Sequence, residues 1–276
     1  MPSGVHDSAF IVNAFRAREV HASADRFAPL WVSEETRQWA DQYAEKVGST
    51  EVLVHALRHR FFLERLTQFI ETVPDGVFIN IGAGFTNYPY LIPAGVPCCE
   101  IDTEENLQFK TQKLAEFELN SDLPVRTVKF IAMDDLNDLA LIAKLEPVLK
   151  EWINNRPSFV LFEGVFFYLE AKTISRLLDI LASLQHSGDI IASTSFRPEE
   201  CYKPMFQRLV DYCGTDYKMR GFTPTTVPTI FYRQQPHYSL VAHENYYRLG
   251  KEYGLEEQLS NPEEVLEEDC YILERR

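Results

Sequence analysis

The segment from Val77 to Asp102, VFINIGAGFTNYPYLIPAGVPCCEID, decides the fold. Its first four residues, Val77–Asn80, begin with three apolar, β-prone side chains, as in a buried strand, and they are soon followed by Gly82 and Gly84. Glycine permits the tight strand-to-helix turn and lets the main chain approach a ligand closely. An acid about 20 residues later, here Glu100 or Asp102, is where doubly wound folds hold the hydroxyls of a ribose. The segment therefore predicts a nucleoside-binding βαβ unit.

The glycine turn does not complete a dinucleotide fingerprint. The pattern G-x-G-x-x-G has glycine at its sixth position, where this chain has Asn87. No lysine follows the glycines, as it would in a phosphate-binding loop. A nicotinamide-dependent reductase stays an alternative, because it uses the same turn and ribose acid. The other alternative is a turn without a ligand, with the two acids as solvated charges.

Composition and charge exclude several classes of partner. The 276 residues carry a formal charge of −14, which argues against a nucleic-acid or anionic-membrane surface. Five cysteines without a C-x-x-C pair or a zinc-like His/Cys cluster predict reduced thiols and no metal site. Neither a signal-peptide core nor a run of 18 apolar residues is visible. We expect a soluble, cytoplasmic protein with a small-molecule substrate.

The pattern along the chain predicts a helical cap over residues 1–76 and an α/β domain over residues 77–276. In the second part strands alternate with helices, which is typical of a doubly wound, mostly parallel sheet, here of seven strands. The expected strands are Val77–Asn80, Ala94–Cys99 with the acids that follow, Val125–Met133, Ser158–Phe162, Asp189–Thr194, Tyr238–His243 and Asp269–Leu273.

Three details of the pattern carry further expectations. In the helix predicted over Val52–Thr72, Arg58 and its charged neighbours lie largely off the apolar stripe. Pro147 should break or kink the helix predicted over Leu139–Trp152. The Glu-rich stretch Glu256–Asp269 is typical of a solvated helix and loop.

Acids and glycines follow most of the predicted parallel strands. In open α/β sheets ligands bind outside the carboxyl ends of the strands. The groups found there are Gly82/Gly84, Glu100/Asp102, Asp134/Asp135, Glu163 and then Ser195–Arg197. This set fits a neutral or cationic nucleoside better than a pyrophosphate. S-adenosylmethionine fits, with its ribose on one acid, its adenine amino group near another, and its sulfonium close to carboxylates.

The order GAG, E-x-D, DL and EGVFFYL resembles the leucine carboxyl methyltransferase family of class I S-adenosylmethionine-dependent methyltransferases. The most specific match is Phe162–Leu169, FEGVFFYL, which is similar to the family's EGVLMYL. The match also covers Arg16–Glu19 and Arg58–Phe62, and it spans roughly residues 10–195. Where the family continues GAG with x-D-T-R, this chain has FTNY at Phe85–Tyr88, which argues against a close relation to the phosphatase-modifying members.

The resemblance implies a Rossmann-like methyltransferase fold and a role for individual residues. Gly82 and Gly84 would pass under the methionine and ribose, and Asp102, with Glu100 behind it, would hold the ribose. Asp135 and Leu136, or Asp134 by a one-residue shift, would flank the adenine. Glu163 would approach the methionine ammonium group, and Arg58, with Arg16 assisting, would bind the methionine carboxylate.

The methyl acceptor is predicted only as a class. In-line displacement at a sulfonium methyl needs alignment more than acid–base power. A carboxylate acceptor would need a positioning arginine, for which Arg197, Arg220 and Arg233 are candidates. A hydroxyl acceptor would need a general base, for which the candidates are His237, His243 and Tyr168.

The aromatic segment around 196–237 is expected to form the acceptor pocket, although it could equally be a packed insertion. The sequence thus predicts an O-methyltransferase acting on a carboxyl or hydroxyl oxygen of a small molecule. A protein C-terminal carboxyl methyltransferase, the reductase, and a non-catalytic partner protein with the same fold remain alternatives.

Overall fold

A single sheet of seven strands organises the computed structural model, which describes residues 5–219 and 221–276. The strands are β1 Val77–Ile81, β2 Cys98–Asp102, β3 Val128–Ala132, β4 Ser158–Phe162, β5 Ile190–Phe196, β6 Tyr238–Glu244 and β7 Glu268–Arg275. Their spatial order is β3-β2-β1-β4-β5-β7-β6. β7 runs antiparallel to both of its neighbours, and the other pairings are parallel. The predicted mostly parallel, doubly wound fold is confirmed.

The two central strands fix where a ligand can bind. All five residues of β1 and all five of β4 are buried, as expected for strands covered on both faces of a parallel sheet. β1 pairs with β2 on one side and with β4 on the other. The connections that leave β1 and β4 therefore diverge to opposite faces. A crevice opens between them at the carboxyl ends of the strands.

Helices cover both faces of the sheet and precede it. They are α1 Val5–Arg18, α2 Val20–Ser23, α3 Glu34–Lys46, α4 Glu51–Thr72, α5 Tyr88–Leu91, α6 Glu104–Leu119, α7 Leu139–Ile153, α8 Ala171–Leu184, α9 Pro204–Thr215, α10 Thr229–Arg233 and α11 Tyr246–Glu252. Within the described ranges no helix is both long and apolar enough to cross a bilayer. α7 runs through Pro147, so the expected break does not end that helix.

The predicted apolar stripe of α4 is buried, but the first half of the helix, as far as Phe62, is buried on nearly every side. Arg58 is 3% exposed and His59 is fully buried, although both were predicted to lie largely off the buried face. α1 and α2 pack against α4 on one side, and Phe69 of α4 meets Phe159 of β4 on the other, with ring centroids 5.7 Å apart. Charged residues on a helix covered from both sides must find buried partners.

Several predicted boundaries were wrong for local reasons. β2 begins at Cys98 rather than Ala94, because the preceding residues form a turn closed by the Val96 amide donating to the Pro93 carbonyl oxygen (3.1 Å). The segment 196–237, predicted as an acceptor pocket or a packed insertion, contains the helices α9 and α10. The acidic stretch 256–269 is not uniformly solvated: Glu267, Glu268 and Asp269 are buried as the chain enters β7.

Candidate functional site

A cavity with a volume of about 420 Å³ lies at the carboxyl ends of the central strands, beneath the N-terminal helices. One side, the strand-end wall, is formed by Gly82, Gly84, Asp102, Asp134, Asp135, Leu136 and Glu163. The other side, the aromatic wall, is formed by Tyr43, His55, Phe167, Tyr168, Leu209, Cys213, Tyr217, Met219 and Phe222. Arg16 and Arg58 also line the cavity. With Tyr168, ten of the sixteen residues predicted for the cofactor or the acceptor therefore border one space.

The glycine turn after β1 needs glycine at both positions. Gly82 has φ +70°, and a Cβ added there would lie 2.4 Å from Val165 Cγ2. Gly84 has φ +47°, and its added Cβ would lie 3.2 Å from Ala9 Cβ. Side chains at these positions would be strained and crowded. The bare main chain is therefore presented to the cavity.

Asp102, at the end of β2, is held in place by the turn that it faces. Its Oδ2 accepts a hydrogen bond from the Gly84 amide at 2.6 Å. Its Oδ1 accepts from the Thr103 amide at 2.7 Å and from Asn106 Nδ2 at 2.6 Å. These contacts orient the carboxylate before any ligand binds, which is the preorganisation that a ribose-binding acid requires.

Glu100 does not reach the cavity. It lies two residues before the end of β2, about 7 Å back from the edge of the sheet, where α6 covers it. Its Oε2 is 2.7 Å from Lys110 Nζ, and both side chains are 1% exposed. Burial raises the pKa of Glu100, although Lys110 opposes that shift. The expectation that Glu100 stands behind Asp102 at the ribose is thus replaced by a structural ion pair.

Glu163, directly after β4, is part of a buried ionic cluster. Its Oε1 accepts from Arg58 Nε at 3.0 Å, and its Oε2 accepts from the Tyr88 hydroxyl at 2.7 Å. Arg58 Nη1 also pairs with Glu268 of β7. Burial alone would raise the pKa of Glu163, but Arg58 together with His59, Arg16 and the Tyr88 hydroxyl lowers that pKa to about 2. Glu163 is therefore ionised at neutral pH.

Arg16 belongs to a second buried network, which also explains the residue at the sixth fingerprint position. Its Nε is 3.3 Å from Asp25 Oδ2, and its Nη2 donates to the Phe85 carbonyl oxygen at 3.1 Å. Asn87 Nδ2 donates to both Asp25 oxygens at 3.0 Å, and Asn87 Oδ1 accepts from Trp31 Nε1 at 2.9 Å. Asn87 thus ties the glycine turn to the N-terminal helices, a role that glycine could not fill.

The acids after β3 sit at the exposed mouth of the cavity. Asp134 Oδ1 accepts from the Glu104 amide at 2.8 Å and so caps the start of α6. Asp135 Oδ1 accepts from the Asn137 amide at 2.7 Å. Leu136 is half-buried and packs against the main core. Both acids line the cavity, so the structure keeps the predicted one-residue ambiguity between them.

The aromatic wall contains polar residues that the sequence did not single out. His55 Nδ1 is 2.8 Å from the Glu51 carbonyl oxygen, and the Tyr43 hydroxyl donates to Glu51 Oε2 at 3.2 Å. Cys213 and Tyr217 complete this side, near Tyr168. The available signal was the i, i+4 spacing of Glu51 and His55, one turn before Arg58. The prediction for α4 used apolar periodicity, which does not detect a pair of polar residues at this spacing.

The remaining acceptor-side candidates lie elsewhere. Arg197 is held by Glu199, Glu200 and Asp269, with N–O distances of 3.0–3.3 Å, and does not border the cavity. His237 is exposed where the chain enters the edge strand β6, and its carbonyl oxygen accepts from Arg275 Nη1 at 3.0 Å. Both therefore leave the candidate site, because Arg197 pairs with Asp269 of β7 and His237 lies beside the edge strand β6. Arg233 and His243 also lie outside the cavity lining, and Arg220 lies outside the described residues.

Residues 9–182 match the leucine carboxyl methyltransferase family. This chain belongs to that family. The chain is similar to a protein of Mycobacterium sp. strain KMS, 28% identical over 160 residues, which are 58% of this chain and 50% of that one. Another, of Mycolicibacterium smegmatis, is 30% identical over 142 residues, 50% of this chain and 44% of that one. Both are provisionally named S-adenosyl-L-methionine-dependent methyltransferases, and the chain spans about half their length.

Solved structures agree with this family assignment at the level of the fold. A crystal structure provisionally described as a methyltransferase from Thermobifida fusca YX has a TM-score of 0.65 and 16% identity, covering 100% of this chain and 96% of that one. The magnesium protoporphyrin IX methyltransferase of Synechocystis PCC 6803, solved with bound SAH, has a TM-score of 0.51 and 12% identity, covering 88% and 95%. This chain therefore has the fold of class I methyltransferases.

Proposed function

We propose that this protein transfers a methyl group from S-adenosylmethionine to a carboxyl or hydroxyl oxygen of a small molecule. The observation that carries the proposal is the convergence of the glycine turn, Asp102 and the Arg58–Glu163 pair on one cavity in a chain of this family. A cavity with acids on one wall and aromatic rings on the other suits a cationic nucleoside facing an organic acceptor.

The residues of the strand-end wall fit the nucleoside. Asp102, already oriented by the Gly84 amide, would bind the ribose hydroxyls. Asp134 or Asp135, with Leu136, would flank the adenine. The turn between the two glycines offers bare backbone, since added Cβ atoms there would meet neighbouring residues.

The ionic cluster fits the amino-acid end of the same molecule. Glu163 is ionised and would receive the ammonium group. Arg58 uses Nε and Nη1 for its carboxylate partners, and no hydrogen bond from its Nη2 occurs within residues 5–219 and 221–276. That nitrogen would bind the methionine carboxylate, and Arg16 would assist from α1.

When bound, S-adenosylmethionine supplies a methyl group already activated by positive sulfur. The protein's own contribution is then to align the acceptor and to exclude water. We propose that the helices before residue 77 act as a cap and that the segment around 196–237 supplies part of the acceptor pocket. Tyr168, whose hydroxyl donates to Ser8 Oγ at 3.4 Å, is the sequence-predicted acceptor-side residue that lines the cavity.

Thermal unfolding with candidate ligands tests the nucleoside class. A hundredfold excess of S-adenosylhomocysteine over its Kd should stabilise the protein by about 2.7 kcal/mol, which raises Tm by several degrees. NAD at the same concentration should leave Tm unchanged. The opposite result would favour the reductase. Transfer of label from methyl-labelled S-adenosylmethionine to small carboxylic acids or phenols, compared with peptides ending in leucine, then separates the enzymatic alternatives from a non-catalytic fold.

A further inference from the structure

We propose that the methyl acceptor is a neutral aromatic hydroxyl compound, an arenol, and that His55 binds its hydroxyl group. This inference rests on the proposed methyl transfer and narrows the acceptor class. The structure favours a hydroxyl over a carboxylate for two independent reasons: the tautomer of His55 and the lack of an uncommitted positive charge among the described residues of the cavity.

The backbone fixes the tautomer of His55. A carbonyl oxygen can only accept, so the contact of 2.8 Å between His55 Nδ1 and the Glu51 carbonyl oxygen places a hydrogen on Nδ1. Burial, with Arg58 adding to it, lowers the pKa of His55 to about 3, so the ring is neutral. Its Nε2 then carries a lone pair, and no donor to it occurs in the described part of the chain. The ring packs against Phe15, with centroids 5.5 Å apart, which holds its orientation.

The other polar groups on the aromatic wall, and Glu51 behind Tyr43, are neutral as well. Burial raises the pKa of Cys213 to about 12 and that of Glu51 to about 8, so the thiol and the carboxyl keep their protons at pH 7. Burial likewise raises the pKa of Tyr43 and of Tyr168. A hydroxyl group bound against this wall would therefore find hydrogen-bonding partners and no charged side chain.

The cations near the wall are committed to carboxylates. Arg58 has two buried carboxylate partners, and Arg16 has Asp25. Their remaining donors are those proposed for the methionine carboxylate. A second, acceptor carboxylate would be desolvated with no cation of its own among the described lining residues, and an unpaired buried charge costs several kcal/mol. An arenol loses far less on burial, and its ring gains contact with Phe167, Tyr168 and Phe222.

The acceptor oxygen forms a bond to the methyl carbon while the carbon–sulfur bond breaks, and the electron pair of that bond stays on sulfur. The hydroxyl proton passes to His55 Nε2. Because the pKa of His55 is low, the ring releases this proton to solvent after the aryl methyl ether leaves.

Matched pairs of probes test the acceptor class. A panel of arenols and the corresponding arenecarboxylates, such as 2-naphthol with 2-naphthoate, is titrated into the S-adenosylhomocysteine complex and assayed for methylation. We expect arenols to bind more tightly than their carboxylates and to be methylated. A panel in which no arenol binds more tightly than its carboxylate, or in which carboxylates are the methylated members, overturns the proposal. Failure to bind S-adenosylhomocysteine would instead overturn the proposed function.

Variants test the residue. His55→Phe should lower arenol turnover about 100-fold and leave S-adenosylhomocysteine affinity within about twofold. His55→Gln, which keeps an acceptor oxygen, should retain part of the arenol affinity and serves if the phenylalanine variant does not fold. The exposed His21→Gln is the matched control. In an Arg220→Met variant, arenols should still bind more tightly than the corresponding arenecarboxylates. Unchanged turnover in both His55 variants, or a preference for carboxylates that disappears with Arg220, contradicts the assignment.

Discussion

The two walls of the cavity are built in different ways. The strand-end wall comes from short connections that directly follow β1, β2, β3 and β4, so each of its residues is placed by the strand before it. The aromatic wall is assembled from α3, α4, the turn at Phe167 and Tyr168, α9 and the segment after α9, which come from four separate parts of the sequence. One wall is charged and tied to backbone amides, whereas the other is apolar with neutral polar groups. The first suits a molecule shared by a whole family, and the second suits a particular acceptor.

The largest effect should come from Glu163→Gln, which removes one of the two carboxylates around buried Arg58. We expect the unfolding free energy to fall by about 3 kcal/mol, because breaking a buried pair leaves an uncompensated charge. S-adenosylhomocysteine affinity, measured by calorimetry, should fall about 100-fold or more, by loss of the charged contact to the ammonium group.

Glu116→Gln is the control for that variant, since it breaks the exposed pair with Lys113 (2.8 Å) and should cost under about 1 kcal/mol. If Glu163→Gln bound S-adenosylhomocysteine as tightly as the unaltered protein, the strand-end wall would not hold the methionine end.

Asp102→Asn tests whether the two walls bind their ligands separately. It should weaken S-adenosylhomocysteine binding roughly 30-fold, because a charged hydrogen bond to the ribose contributes about 2 kcal/mol. Stability should fall by about 1 kcal/mol, through the contact with the Gly84 amide. Acceptor affinity, measured at saturating S-adenosylhomocysteine, should not change. The exposed Asp75→Asn is the control, and a comparable loss of acceptor binding in Asp102→Asn would show that the walls do not act separately.

The third expected effect is a pH dependence of stability set by Glu51, which lies behind Tyr43 of the aromatic wall. The pKa of Glu51 is about 8 in the folded protein against 4.5 ordinarily, so between these values the folded state holds a proton that the unfolded state has released. Stability therefore falls as pH rises from about 4.5 to 8, by up to about 1 kcal/mol per pH unit. The unfolding free energy, measured by urea unfolding at pH 5 to 8, should fall less steeply with pH in Glu51→Gln than in the unaltered protein.

Part of that slope should survive in Glu51→Gln, because burial also raises the pKa of Glu267 to about 8. The exposed Glu256→Gln should leave the slope unaltered. A Glu51→Gln protein with the full original slope would contradict a neutral carboxyl behind Tyr43.

The same contrast explains what the sequence could predict. Gly82, Gly84, Asp102 and Glu163 were found because a strand pattern locates its own end, and the ends of parallel strands share one edge. The prediction for Glu100 was wrong because β2 continues to Asp102, so Glu100 lies two residues before the edge of the sheet. The family match, rather than periodicity, pointed to Arg58, whose burial depends on contacts with α1, α2 and the sheet.

The aromatic wall had no comparable local signal. Tyr43, His55 and Cys213 meet only after helices from three parts of the chain have packed together. Arg197 and His237 carried suitable chemistry, but β7 and β6 place them on the far side of β5. A residue type therefore predicts a role only where the topology also predicts its neighbours.

Glu268 gives the position of β7 a further meaning. This residue begins the strand inserted between β5 and β6, and it pairs with Arg58 while accepting a hydrogen bond from the Thr194 hydroxyl. During synthesis on the ribosome, Arg58 emerges early, and its guanidinium group lacks its second carboxylate partner until residue 268 has emerged. The proposed nucleoside site is therefore completed late, and nascent chains shorter than this should not yet retain S-adenosylhomocysteine.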